Sequence, residues 1–253
     1  MHRYLVLLLA AIVSLVSTSF AEDSRVYELR IYTAADGKLD ALHARFRDYT
    51  CKSFEKHGMT NVGYWTPIEN ADRKLYYILS YPSVEAKAKS WKGFIEDKDR
   101  QAFFAGTEKN GRLVDKIESI NLEATDYSPE IKSSAEAKSR IFELRIYTAS
   151  QGNLKNLDAR FRDHTIKLFS KHGMKHFGYW HMTSGQKGAE ENLTYLLVHD
   201  SVEAQKKSFD AFRMDPDWIA AKEASEKAAG GSLTAQDGVK SILMTPTDYS
   251  PAK

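Results

Sequence analysis

The chain has one cysteine among 253 residues, which rules out an internal disulfide and any fold that depends on one. Charge of one sign is not in excess: 36 Lys and Arg stand against 34 Asp and Glu, interspersed, so there is no basic footprint of the kind a nucleic-acid binder carries. Past the first residues, no apolar run is long enough to span a bilayer. Gly-rich phosphate loops, dinucleotide fingerprints and a Ser nucleophile elbow are also missing. Nor do the histidines fall at the short spacings of a zinc or iron site, so no metal ligand is assigned. What remains is aromatic: 13 Tyr, 12 Phe and 4 Trp, enough to build cores.

The N-terminus reads as an export signal. Met1-His2-Arg3 is basic, Tyr4 to Val16 is continuously apolar, and Ser19 and Ala21 are small at the positions a signal peptidase reads. Cleavage between Ala21 and Glu22 is expected, with a periplasmic or extracellular destination. The alternative is a membrane anchor, but the run is shorter than the ~20 residues a spanning helix needs.

The rest of the chain says the same thing twice. Tyr27 to Trp65 and Phe142 to Trp180 align without a gap, and 25 of 39 positions are identical. Such identity marks an internal duplication. Asp126-Tyr127-Ser128-Pro129 recurs as Asp248-Tyr249-Ser250-Pro251. The expected organisation is a signal over 1–21, one module over 22–129, a polar linker over 130–139 and a second module over 140–253. Cys51 is matched by Ile166, so a buried thiol is expected.

Within a module the pattern is strand, helix, strand, strand, helix, strand. Val26 to Thr33 alternates: Tyr27, Leu29, Ile31 and Thr33 share one face, and Val26, Glu28, Arg30 and Tyr32 the other. Leu39, Leu42, Phe46, Thr50, Phe54 and His57 follow at helical spacing, and Gly58 marks the helix end. Met59 to Thr66 and Leu75 to Tyr81 read as strands. Ser83 opens a second helix, Arg100 to Ala105 is a short third one, and Val114 to Glu123 is the last strand. In the second copy Asp200 and Glu203 are spaced as a capping box, and Asp215-Pro216 opens a further helix. This order is the ferredoxin-like split motif, whose sheet carries helices on one face only. The bare face must be covered. The expected fold class is therefore α+β: two tandem ferredoxin-like modules (βαββαβ) pairing as an α/β barrel of the dimeric type.

The runs Tyr27 to Thr33, Phe54-Glu55-Lys56-His57-Gly58-Met59 and Gly63-Tyr64-Trp65 resemble the NIPSNAP family of the dimeric α/β-barrel superfamily. In the second copy Phe209, Phe212 and Asp215-Pro216-Asp217-Trp218 resemble that family's second-helix segment, whereas the first copy reads Asp97-Lys98-Asp99-Arg100. The resemblance implies a binding or adaptor protein. It also admits a cofactor-independent or haem-dependent enzyme of monooxygenase or isomerase type, since relatives in the superfamily include such enzymes.

Candidate ligand-binding residues follow, none of them assigned a catalytic role. Arg30 and Arg145, with Tyr32 and Tyr147, lie on the polar strand face, which is expected to point into the barrel; Glu28 and Glu143 are the nearest partners. The alternatives there are an ion-pair network or an anion pocket. His57 and His172 end the first helices, suited to bonding terminal carbonyls or contacting a ligand. Trp65 and Trp180 serve packing or ligand stacking. His164, on the inner helix stripe in place of Tyr49, and His181, in place of Thr66 and on the strand face opposite His176, are the second copy's own. His199 replaces Tyr81. The reading is an exported, non-catalytic module without a cofactor, whose barrel binds a small molecule or a protein, does not bind nucleic acid, keeps no membrane span after cleavage and is open to homo-oligomerisation.

Overall fold

The structure is a computed structural model and describes residues 25–131 and 140–253. The export signal, and all but the first two residues of the linker, lie outside these residues. The first module runs β1 Val26–Ala34, α1 Leu39–Arg45, a π-turn Phe46–Thr50, α2 Cys51–Lys56, β2 Thr60–Pro67, β3 Lys74–Tyr81, α3 Val84–Glu96, α4 Lys98–Thr107 and β4 Val114–Ala124. The second repeats it: β5 Ile141–Ala149, α5 Leu154–Arg160, a π-turn Phe161–Thr165, α6 Ile166–Lys171, β6 Lys175–Met182, β7 Asn192–His199, α7 Val202–Arg213, α8 Pro216–Ala229 and β8 Thr234–Pro246.

All eight strands join one closed antiparallel barrel in the order β1-β3-β2-β8-β5-β7-β6-β4. Two seams close it: β2 on β8, from Trp65 opposite Pro246 to Pro67 opposite Met244, and β4 on β6, from Leu122 opposite Met182 to Ala124 opposite Trp180. Each seam is three residue pairs long and leaves the earlier parts of β4 and β8 paired on one side only. The lumen is filled by one core drawn from both modules, including Tyr27, Leu29, Trp65, Ile78, Phe142, Leu144, Trp180 and Leu196. The expectation of a binding site inside the barrel is therefore corrected: the lumen is packed with apolar side chains. Each Gly-Tyr-Trp run has a packing reason. A Cβ on Gly63 would lie 2.3 Å from the Trp65 ring, and one on Gly178 2.6 Å from Trp180.

The DYSP segments lock the halves reciprocally. Arg47 forks Asp248 at 2.6 and 2.8 Å, and Arg162 forks Asp126 at 2.8 and 2.7 Å. The Ser250 hydroxyl accepts from the Tyr64 amide and the Ser128 hydroxyl from the Tyr179 amide. Each segment thus docks on the module to which it does not belong.

Local detail refines the sequence reading. The apolar stripe Leu42, Phe46, Thr50, Phe54 steps by four, which drifts about 40° per step on a 3.6-residue helix. The π-turn absorbs this drift, and the Thr50 hydroxyl donates back to the Arg45 carbonyl at 3.1 Å. Thr165 does the same to Arg160. Helix α7 is capped by Ser201, whose hydroxyl accepts from Ala204 N at 3.1 Å, and Asp200 takes no part in that cap. Gly230, at φ 74°, closes α8. Cys51 is half-buried against the first module's core, and burial pushes its thiol up to about 11. Among the described residues no helix is long and apolar enough to cross a membrane.

Because each module's helix-free face is covered only by the other, a fragment spanning residues 25–128 is expected to self-associate or unfold. Size-exclusion with light scattering checks this; a stable monomer would contradict the packing argument.

Candidate functional site

Glu28, Arg30 and Tyr32 share a face, as their alternation requires, but that face points outward, under α3 and α4, and not into the barrel. The second copy does the same, so the two sets do not converge. The reason is that the opposite face carries Tyr27, Leu29 and Ile31, which meet Phe142, Leu144 and Ile146 in an apolar lumen that offers a charge no partner. Under the helices partners are at hand.

There Glu28 is almost fully buried and fully engaged. Its Oε1 accepts from Arg30 Nη1 at 2.7 Å and Ser119 Oγ at 2.5 Å. Its Oε2 accepts from the Tyr81 hydroxyl and from Trp91 Nε1, both at 2.8 Å, with Lys87 Nζ at 3.3 Å. Burial pushes the carboxyl up, yet Arg30, Ser119 and Lys87 outweigh it and hold the group below its ordinary range. Arg30 also donates to the Tyr77 hydroxyl at 2.9 Å, and its guanidinium lies 4.4 Å from the Trp91 ring.

The second module builds the same node with different parts. Glu143 accepts from Arg145 at 2.5 Å, Ser241 at 2.6 Å and Gln205 at 3.2 Å, and its Oε2 lies 3.0 Å from His199 Nε2. Burial raises its carboxyl, but His199, Arg145 and Ser241 bring it down to about 2. His199 thus stands in for Tyr81, and Phe209 for Trp91. The sequence reading named the Glu–Arg pairs and the exchange of Tyr81 for His199, but did not place Tyr81 or His199 against the carboxylates.

Beside the first node a cavity of about 320 Å³ opens between sheet and helices. Glu28, Arg30 and Tyr32 form its floor. The π-turn helix supplies Arg45, Phe46 and Phe54, and α3 and α4 supply Trp91, Phe94, Arg100 and Phe104. Ile95 and Ile117, 54% and 49% exposed, stand at its rim. Arg45 is tied to Glu108 at 2.8 Å, and its guanidinium lies 4.3 Å from the Phe104 ring.

The other candidates lie elsewhere. His57 and His172 do not bond terminal carbonyls through their rings. Their Nε2 atoms meet the helix-capping carboxylates Asp97 at 2.9 Å and Asp215 at 2.6 Å, which ties the first helix to α4 or α8. Trp65 and Trp180 are sealed in the lumen. His164 is exposed and not on an inner stripe. His181 bonds Asp158 at 2.9 Å, and Asp158 also accepts from the Tyr127 hydroxyl at 2.6 Å. It shares the helix-side face with His176, contrary to simple alternation, because a bulge between His176 and Gly178 shifts the register. Among the described residues no cluster of three or more His, Cys, Asp and Glu could hold a metal.

The NIPSNAP family model matches residues 27–129 and 142–251, and the chain belongs to that family. No curated protein matches the chain. Among solved structures it is similar to a candidate monooxygenase from Fusobacterium nucleatum, at 12% identity and TM-score 0.59, covering 89% of this chain and 93% of that one. A candidate monooxygenase from Lactobacillus acidophilus matches at 13% identity and TM-score 0.53, covering 88% and 94%. A NIPSNAP family protein from Agrobacterium tumefaciens matches at 23% identity and TM-score 0.38, covering 42% of this chain and 98% of that one.

Removing either arginine leaves a buried carboxylate short of its main partner. Arg30→Ala and Arg145→Ala are each expected to lose about 3–5 kcal/mol, a melting shift of roughly 6–20 °C for a chain this size. Unchanged melting would mean the nodes do not form. Glu143 adds a pH signature. Its folded-state pKa of about 2 lies below the ordinary 4.5, so its contribution is present above pH 4.5 and is lost as pH falls toward 2. In urea titrations between pH 5 and 2, wild type should lose on the order of 3 kcal/mol more than Glu143→Gln.

Proposed function

We propose that this NIPSNAP-family chain is a small-molecule-binding protein without chemistry of its own, and that its site is the recess between sheet and helices of the first module. The observation that carries this reading is the composition of the recess. It has the size of a small-ligand site, and its walls are aromatic. Its one carboxylate, Glu28, is saturated with donors and held ionised, and no histidine lines it. A general acid or base needs a group that exchanges a proton near neutral pH; the lining residues offer shape, aromatic surface and fixed positive charge instead.

The chain shares its fold with candidate monooxygenases, and at 12–13% identity that likeness carries the fold and not the chemistry. Export rests on the Met1 to Ala21 pattern and places the protein outside the cytoplasm, where it meets ligand after signal cleavage.

Mass spectrometry of protein purified from its exporting host is expected to show a copurifying small molecule, displaced when Phe94→Trp narrows the recess. Oxygen-dependent turnover of an aromatic or lactone compound, with or without haem, that vanishes in Tyr32→Phe while the fold survives would replace the binding reading with an enzymatic one.

A further inference from the structure

Three guanidiniums face one carboxylate in the first module's recess. Two are committed: Arg30 to Glu28 and Tyr77, and Arg45 to Glu108. Arg100 is different. Among the described residues no carboxylate lies within 4.0 Å of it, and its Nε, like that of Arg45, is buried without a hydrogen-bond partner. Its guanidinium rests on aromatic rings, 4.1 Å from the Phe104 centroid and 4.9 Å from Phe94. Arg45 lies on the same Phe104 ring, so two like charges crowd one side of the cavity. A partly buried guanidinium with unused donors, facing a cavity, suits an anion that brings its own acceptors. The remaining wall is Tyr32, Phe46, Phe54, Trp91 and Phe94, a surface for a flat apolar body.

The duplication supplies an internal control. Asp97 and Asp215 cap equivalent helices, and Glu108 and Glu226 reach the equivalent Arg45 and Arg160. That register sets Arg100 against Trp218 and Phe104 against Lys222. In the second module the Trp218 ring packs 4.4 Å from Phe212, with Arg160 at 5.2 Å. The third arginine is gone, and an indole stands in its place.

We propose that the first module's recess binds an aromatic carboxylate, with Arg100 as the partner of its charge, and that Trp218 closes the corresponding recess in the second module, so that each chain holds one such ligand. This rests on the binding reading above and specifies its ligand.

The test uses calorimetry on the full chain with 2-naphthoate and its neutral counterpart 2-naphthamide. Expected are one naphthoate per chain and weaker naphthamide binding, by about tenfold or more, the value of a charge-assisted contact. Arg100→Gln should abolish that preference. Arg100→Trp should abolish binding of both compounds without lowering the melting temperature, since Trp218 occupies the same place in the second module. Equal binding of the two compounds, unaffected by Arg100→Gln but lost in Arg100→Trp, would overturn the carboxylate assignment and leave the recess as the binding site. Two naphthoates per chain would overturn the closure by Trp218. If neither compound binds while a copurifying molecule is displaced by Arg100→Trp, the ligand class is wrong and the site stands; if nothing is displaced either, both readings fall.

Discussion

A sheet with helices on one side leaves its other side to be covered, and in this chain the cover is a second copy of itself. Tyr27, Leu29 and Ile31 of one copy and Phe142, Leu144 and Ile146 of the other are buried by the same event. The seams β2–β8 and β4–β6 join the two sheets through backbone pairs that neither sheet could make alone. Once the barrel closes, its lumen belongs to apolar side chains, and every polar group on the other strand face is sent under the helices. The position of the candidate site follows from that.

The buried carboxylates show how a duplicated design drifts. Glu28 and Glu143 keep their arginines, yet His199 stands in place of Tyr81, Phe209 in place of Trp91 and Gln205 in place of Lys87, while Ser119 is matched by Ser241. The donors changed while the carboxylates stayed paired. This is what a buried charge demands: losing a partner is costly, while exchanging one donor for another costs little. Arg100 and Trp218 hold equivalent places in the two copies and differ. The second copy's five histidines bond Glu143, Asp158, Asp215 and Ser170 or, at His164, stand exposed at the surface.

The sequence by itself determined the duplication, the strand and helix order, the pairing of the two modules and the partnership of Arg30 with Glu28, because all of these follow from spacing. Alternation tells which residues share a face, and repetition tells which elements are equivalent. It could not say which face turns inward, since both faces of these strands are buried and periodicity carries no sign. Tertiary structure decided that, and with it placed Arg30 and Tyr32 beneath helices, sealed Trp65 and Trp180 in the lumen and left His164 in solvent. It also decided the partners of His57 and His172, which lie 40 and 43 residues away on helices that only folding brings near. The bulge beside Gly178 and the π-turn at Phe46 each insert one residue into a regular repeat, so strict periodicity misplaces whatever follows. The recess itself is made by four separated segments, and the unpaired state of Arg100 is a property of what fails to come near it, which no local spacing records.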